Sequence, residues 1–112
     1  MTAFKQFEMR AIRLLASHSL SEETLFALAA MPELHRYEHT GVGYFATIRH
    51  PGIPAQRVVC SKPIVLGESD GIRSGFVVFL ENNELTLECH SWGPEEVPET
   101  YREQDVQISI QT

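Results

Sequence analysis

The sequence has no run approaching the ~20 apolar residues needed to cross a bilayer. Its opening, MTAFKQFEMRAIRLL, mixes charged and polar residues among the apolar ones and never reaches the uninterrupted core of a signal peptide. Together these absences point to a cytoplasmic protein outside the membrane. Cysteine is scarce, with only Cys60 and Cys89, both in apolar strand-like surroundings where a reduced thiol behaves as a small hydrophobe, so no disulfide framework is expected. The five histidines, His18, His35, His39, His50 and His90, never fall at the CxxC, HxH or HExxH spacings of a zinc site, and no metal or other cofactor is expected. No GxSxG elbow is present, and Gly41-Val42-Gly43 lacks the third glycine, the following helix and the lysine of a phosphate loop. There are no internal repeats, low-complexity tracts or obvious linkers.

At 112 residues, 43% hydrophobic and 21% charged, the chain has the make-up of a single globular domain, residues 1–112, long enough to bury an ordinary core. The net charge of -6 is unevenly placed. Residues 1–56 balance five acids with five bases, whereas residues 57–112 set ten acids against four bases. An acidic surface repels phosphate backbones and attracts basic proteins, which disfavours nucleic acid as a partner.

Residues 3–17 place Phe4, Phe7, Ala11, Leu14 and Leu15 at helical spacing with Ile12 widening the stripe, which predicts an amphipathic helix. Ser19 with Glu22 fits a capping box for a second helix and Ser21 is the competing start; Pro32 ends it near Ala30. Its apolar side carries Leu25, Leu28 and Ala29, with Phe26 at the flank. Thr40–Ile48 then alternates as a strand in which the glycines mark a bulge or the close approach of another backbone. His50–Pro54 is a turn. Two short strands are expected on either side of Ser61-Lys62-Pro63, one of them at a sheet edge because of the proline, followed by a polar loop over 67–74. Val106–Ile110 alternates as a last strand.

The clearest stretch is Gly75–Gly93, a β-hairpin about Asn82-Asn83, since asparagine tolerates the positive φ of a tight turn. A two-residue turn pairs Leu80 with Leu85, Val78 with Leu87 and Phe76 with Cys89 on a core face. On the opposite face the period of two brings Glu88, His90 and Trp92 together. That face runs into GPEEVPETYREQD, an acidic stretch whose prolines predict an irregular loop. The expected architecture is α+β, with two N-terminal helices packed on a bent, largely antiparallel sheet of five to six strands.

Trp92 beside a rim of carboxylates has the composition of a surface that holds a basic protein. The candidate partner-binding residues are Glu88, His90, Trp92, Glu95, Glu96, Glu99 and Glu103, with no catalytic set. In size, acidity and lack of a catalytic signature the chain is similar to the small bacterial immunity proteins that neutralise a cognate toxin domain by covering its active surface. That resemblance implies a non-enzymatic inhibitor of a basic toxin. A competing expectation is a small enzyme or ligand-binding protein whose pocket lies between helices and sheet, with Glu88 orienting His90 for acid–base chemistry. A third is a homo-oligomer paired through an exposed edge strand.

Overall fold

The computed structural model describes residues 2–111. Two helices, α1 (Gln6–Ala16) and α2 (Glu22–Ala30), precede six strands: β1 (Arg36–His39), β2 (Gly43–Arg49), β3 (Val58–Ser69), β4 (Ile72–Glu81), β5 (Glu84–Ser91) and β6 (Gln107–Ile110). The sheet is open and antiparallel throughout, in the order β1-β2-β5-β4-β3-β6. This is the expected α+β arrangement. Among the described residues no helix is long and apolar enough to cross a membrane.

The helices cover one face of the sheet. Phe4, Ala11, Ile12 and Leu15 meet Phe76, Val78, Leu80, Leu85 and Leu87, all of them buried. Beneath the helices the centre of the sheet is therefore filled by side chains. Of the two candidate caps, Ser21 begins α2, its hydroxyl accepting the Thr24 N–H at 3.1 Å, and the helix ends at Ala30 as Pro32 dictates. Phe26 points away from the core and is 73% exposed.

The β4–β5 hairpin has the expected register, with Leu80 opposite Leu85 and Phe76 opposite Cys89. Asn82 and Asn83 both take positive φ, 54° and 61°, as a type I′ turn requires. The tip is also held from outside, since the Asn83 side chain donates to the Ile53 carbonyl at 2.6 Å. Gly43 fills the role foreseen for it: a Cβ there would collide with the Cys89 carbonyl of the neighbouring strand.

Four expectations fail for identifiable reasons. The strand foreseen from Thr40 begins at Gly43, because Thr40–Gly43 forms a turn with Gly41 at φ 90°. That turn folds the charged segment Arg36–His39 back as an edge strand without apolar alternation to announce it. The two short strands around Pro63 are one twelve-residue strand, β3. Val58–Cys60 pairs with β4 alone and forms the sheet edge that the proline foretold; Pro63 follows it where the register with β4 breaks between Cys60 and Val65 and before pairing with β6 begins, so its missing N–H leaves no ladder bond unmade. The polar loop over 67–74 is largely strand, with the reversal confined to Asp70-Gly71. Finally, the acidic stretch contains a 3-10 turn, Glu99–Glu103.

Both cysteines are free and buried. Burial pushes the Cys89 thiol up to about 12 and raises Tyr44 as well. In an unfolded chain these groups ionise at about 8.5 and 10. The folded state then holds protons that the unfolded state has released, so stability falls as the pH rises above about 8.5. Urea unfolding midpoints should decline between pH 8 and pH 11, and Cys89→Ala should flatten the first part of that decline. An unchanged slope in the variant would place the alkaline sensitivity elsewhere.

Candidate functional site

The face of the sheet turned away from the helices is uncovered, and the registers give its layout. One row runs Glu38, Phe45, Glu88, Val77 across β1, β2, β5 and β4. The next towards the hairpin tip runs Arg36, Thr47, Thr86, Phe79, Val59, with the Thr47 and Thr86 hydroxyls 2.8 Å apart. In the opposite direction lies Gly43, His90, Gly75, Leu66. Beyond it Trp92 sits beside Arg73, whose carbonyl accepts the Trp92 N–H at 2.9 Å.

Glu88, His90 and Trp92 therefore share this face, as the period-2 reading expects. His90 and Trp92 lie ring to ring, their centroids 5.8 Å apart at 41°. Both rings lean over Gly75, where an added Cβ would come within 2.7 Å of each. The bare glycine lets the two rings rest on the sheet as one aromatic platform, with Trp92 39% exposed. Glu88 makes no hydrogen bond to His90, whose Nδ1 lies 3.2 Å from the Ser91 carbonyl. The carboxylate thus gives the imidazole no orientation for acid–base work in this arrangement, and the pair faces solvent on the far side of the sheet from the helices.

The acidic segment leaves β5 beside this platform and is pinned at several points. The Ser91 hydroxyl is 2.6 Å from the Glu95 carbonyl and 2.9 Å from that of Gly93. The Val97 side chain is fully buried, and its carbonyl meets His39 Nε2 at 2.9 Å. Tyr101, also fully buried, packs edge-on against Phe7 and lies 2.9 Å from the Ser74 hydroxyl. Val97 and Tyr101 were missed in the sequence because acids surround them, although two apolar residues four apart in an otherwise charged stretch are the signal of an anchored turn.

Arg102 provides the strongest anchor. It donates to both Glu8 oxygens at 2.7 Å and to the Ala3 carbonyl at 2.8 Å, while the Tyr44 hydroxyl donates to Glu8 at 2.6 Å and the Lys5 N–H at 2.7 Å. Its guanidinium lies over the rings of Tyr37 and Tyr44. Glu8 is fully buried and every oxygen is satisfied.

Charge pairing separates the carboxylates into two groups. Glu81 and Glu84, near the hairpin tip, pair with Arg57 and with Arg36 and Arg49, and the hydrogen bond from Arg36 holds the Glu84 carboxyl below the usual range. Glu103 is drawn towards Lys5, 3.9 Å away, on the α1 side. Among the described residues ten carboxylates have no cation within salt-bridge distance: Glu23, Glu33, Glu38, Glu68, Asp70 and Asp105 are scattered along the chain, whereas Glu88, Glu95, Glu96 and Glu99 lie on β5 and in the segment that follows it, the last three of them exposed. The histidines are dispersed: His39 on Val97, His50 on the Gly52 N–H, His35 near Glu84. Among the described residues no three His, Cys, Asp or Glu side chains converge on a point that a metal could occupy. In comparisons with family models, with curated proteins and with solved structures, nothing matches the chain, so its function has to be argued from its own geometry.

Proposed function

We propose that the protein is a non-enzymatic binding module that captures a basic protein, most concretely an immunity- or antitoxin-like inhibitor. The observation that supports this reading is the pairing of a partly exposed aromatic platform, His90 and Trp92, with a cluster of carboxylates that find no cation among the described residues. A structural role gives carboxylates partners, as at Glu8, Glu81 and Glu84. Glu88, Glu95, Glu96 and Glu99 have none among the described residues, and unlike the other unpaired acids they gather on the strand of the platform and in the segment that leaves it. The acidic segment is anchored through Val97, Tyr101 and Arg102, so a partner meets carboxylates already in place and less ordering entropy opposes binding. A bound cationic surface would stack an apolar or guanidinium group on the platform and set its charges against the acidic rim.

The test is affinity capture from cells that make the protein, comparing the native chain with a variant carrying Glu95→Lys, Glu96→Lys and Glu99→Lys. All three sites are exposed, so the fold should be kept. The native chain is expected to retain basic proteins that elute as the salt rises, because steering by exposed charges is screened beyond about 8 Å at physiological ionic strength. The reversed variant should lose them. Retention of the same set by both proteins would remove the acidic segment from the binding surface.

A further inference from the structure

The two edges of the sheet are built differently. At one side β1, Arg36-Tyr37-Glu38-His39, carries the charges that discourage a further strand. At the other, β6 and the residue after it read Gln-Ile-Ser-Ile-Gln over 107–111, alternating, uncharged and free of proline. Gln111 N–H donates to the Ile64 carbonyl at 2.9 Å, which continues the β3–β6 register. In an antiparallel ladder the inward and outward residues alternate. Gln107, Ser109 and Gln111 therefore turn their backbone to β3, and Ile108 and Ile110 turn theirs outward. Among the described residues neither of these two bonds through its backbone to any segment beyond the sheet.

Alongside this open edge runs a groove of about 660 Å³ between α1 and β6. Its lining includes Met9 and Ile108, and its four bases, Lys5, Arg10, Arg13 and Arg102, outnumber its two acids, Glu103 and Asp105. Arg13 is engaged by Glu22 and Lys5 by Glu103, whereas Arg10 is exposed and has no carboxylate within salt-bridge distance among the described residues. The groove lies where the core-side residues of a seventh strand would project, under a helix that bears a free cation.

We propose that β6 is the docking edge for an extended segment of another protein, added as a seventh strand with a carboxylate to meet Arg10 and apolar side chains to meet Met9 and Ile108. Backbone hydrogen bonds to Ile108 and Ile110 supply affinity, and the groove selects the side chains, as in other strand additions. Charge argues against a second copy in this place. Two-fold pairing of β6 with itself keeps both helices on one face and sets two arginine-bearing flanks against each other across the seam. This edge is separate from the platform at Trp92, and the inference does not depend on the function proposed for that surface.

The probe is the synthetic decapeptide Val-Thr-Glu-Thr-Val-Thr-Glu-Thr-Val-Thr, whose one strand face carries both valine and glutamate, with the same peptide bearing lysine in place of glutamate as control, added to the full chain while amide hydrogen exchange is followed by NMR. Exchange at Ile108 and Ile110 is expected to slow at least tenfold with the glutamate peptide and to stay unchanged with the lysine one. Ile110→Pro removes an outward N–H that the ladder with β3 does not use and should abolish the effect. Arg10→Glu, an exposed change that keeps the fold even if the proline variant does not, should weaken peptide affinity at least tenfold. The inference is overturned if neither peptide slows exchange, if the lysine peptide does so equally, if Arg10→Glu leaves affinity unchanged, or if protection of Ile108 and Ile110 rises with protein concentration alone, which would make a second copy the occupant.

Discussion

Replacing Arg102 with alanine is expected to cost about 3–5 kcal/mol of stability, because it strands a buried charge. Glu8 is fully buried, and its two oxygens accept from Arg102, Tyr44 and the Lys5 backbone. Without Arg102 the carboxylate keeps two donors and loses the one counter-charge it has among the described residues. Lysine is a poor substitute, since one ammonium cannot bridge both oxygens while lying flat over Tyr37 and Tyr44. The informative comparison is the combined variant Glu8→Leu, Arg102→Met, Tyr44→Phe, which removes the ions and the hydroxyl together. It should recover most of the loss, because a buried pair replaced by apolar groups of similar size is often neutral or better. Urea midpoints read both outcomes. If the triple variant were as unstable as Arg102→Ala, lost packing rather than a stranded charge would be the cause. Because Arg102 also anchors the acidic segment, the single variant should weaken capture of a basic partner even where it is still folded.

That cluster shows where the sequence becomes hard to read. Glu8 falls in the middle of the apolar stripe of α1, four residues after Phe4 and four before Ile12. An acid in that position announces a buried carboxylate in need of a cation, but its partner lies 94 positions away, the one base in a segment of five acids. Periodicity reports which face a residue occupies and says nothing of distant partners. The hairpin, by contrast, is governed by neighbours, so Asn82-Asn83 and the alternation about it determined the register in full. Both helices were legible for the same reason. The edge strand β1 was not, because an edge buries little, and Arg36–His39 therefore carries no apolar alternation. The proline in β3 misled only as to continuity: the first half of the strand does lie at the sheet edge, but a register break between Cys60 and Val65 lets the strand run on past Pro63.

The candidate surface was legible to the same degree. Period two brought Glu88, His90 and Trp92 together, whereas their extension across the sheet to Phe45 and Glu38 depends on strand order, which the sequence does not carry. The role of Gly75 was invisible for a related reason. Its value is the space it leaves for rings from the next strand, and that space exists only once β4 and β5 are paired.

Trp92→Ala is expected to lower affinity for a captured basic partner by about 30-fold or more, the equivalent of about 2 kcal/mol, while leaving the fold intact. An indole half open to solvent at the centre of a contact contributes a large rigid area at little entropic cost, and in most interfaces a few such anchors carry most of the energy. The competing account is that Trp92 caps the end of the sheet, with Arg73 and Gly75 beneath it, and that the nearby glutamates serve only solubility. The two accounts separate on paired measurements. A cap lost should lower the urea midpoint and leave binding in proportion to the folded fraction; an anchor lost should leave the midpoint within about 1 kcal/mol, as for an exposed site, and reduce affinity. Gly75→Ala sharpens the distinction, since it keeps the indole but lifts both rings from the sheet. Under the binding account it should reduce affinity almost as far as Trp92→Ala, because the platform matters as a flat, pre-placed surface. Affinity unchanged in both variants would remove Trp92 and His90 from the interface and leave the carboxylates of the acidic segment to account for any binding alone.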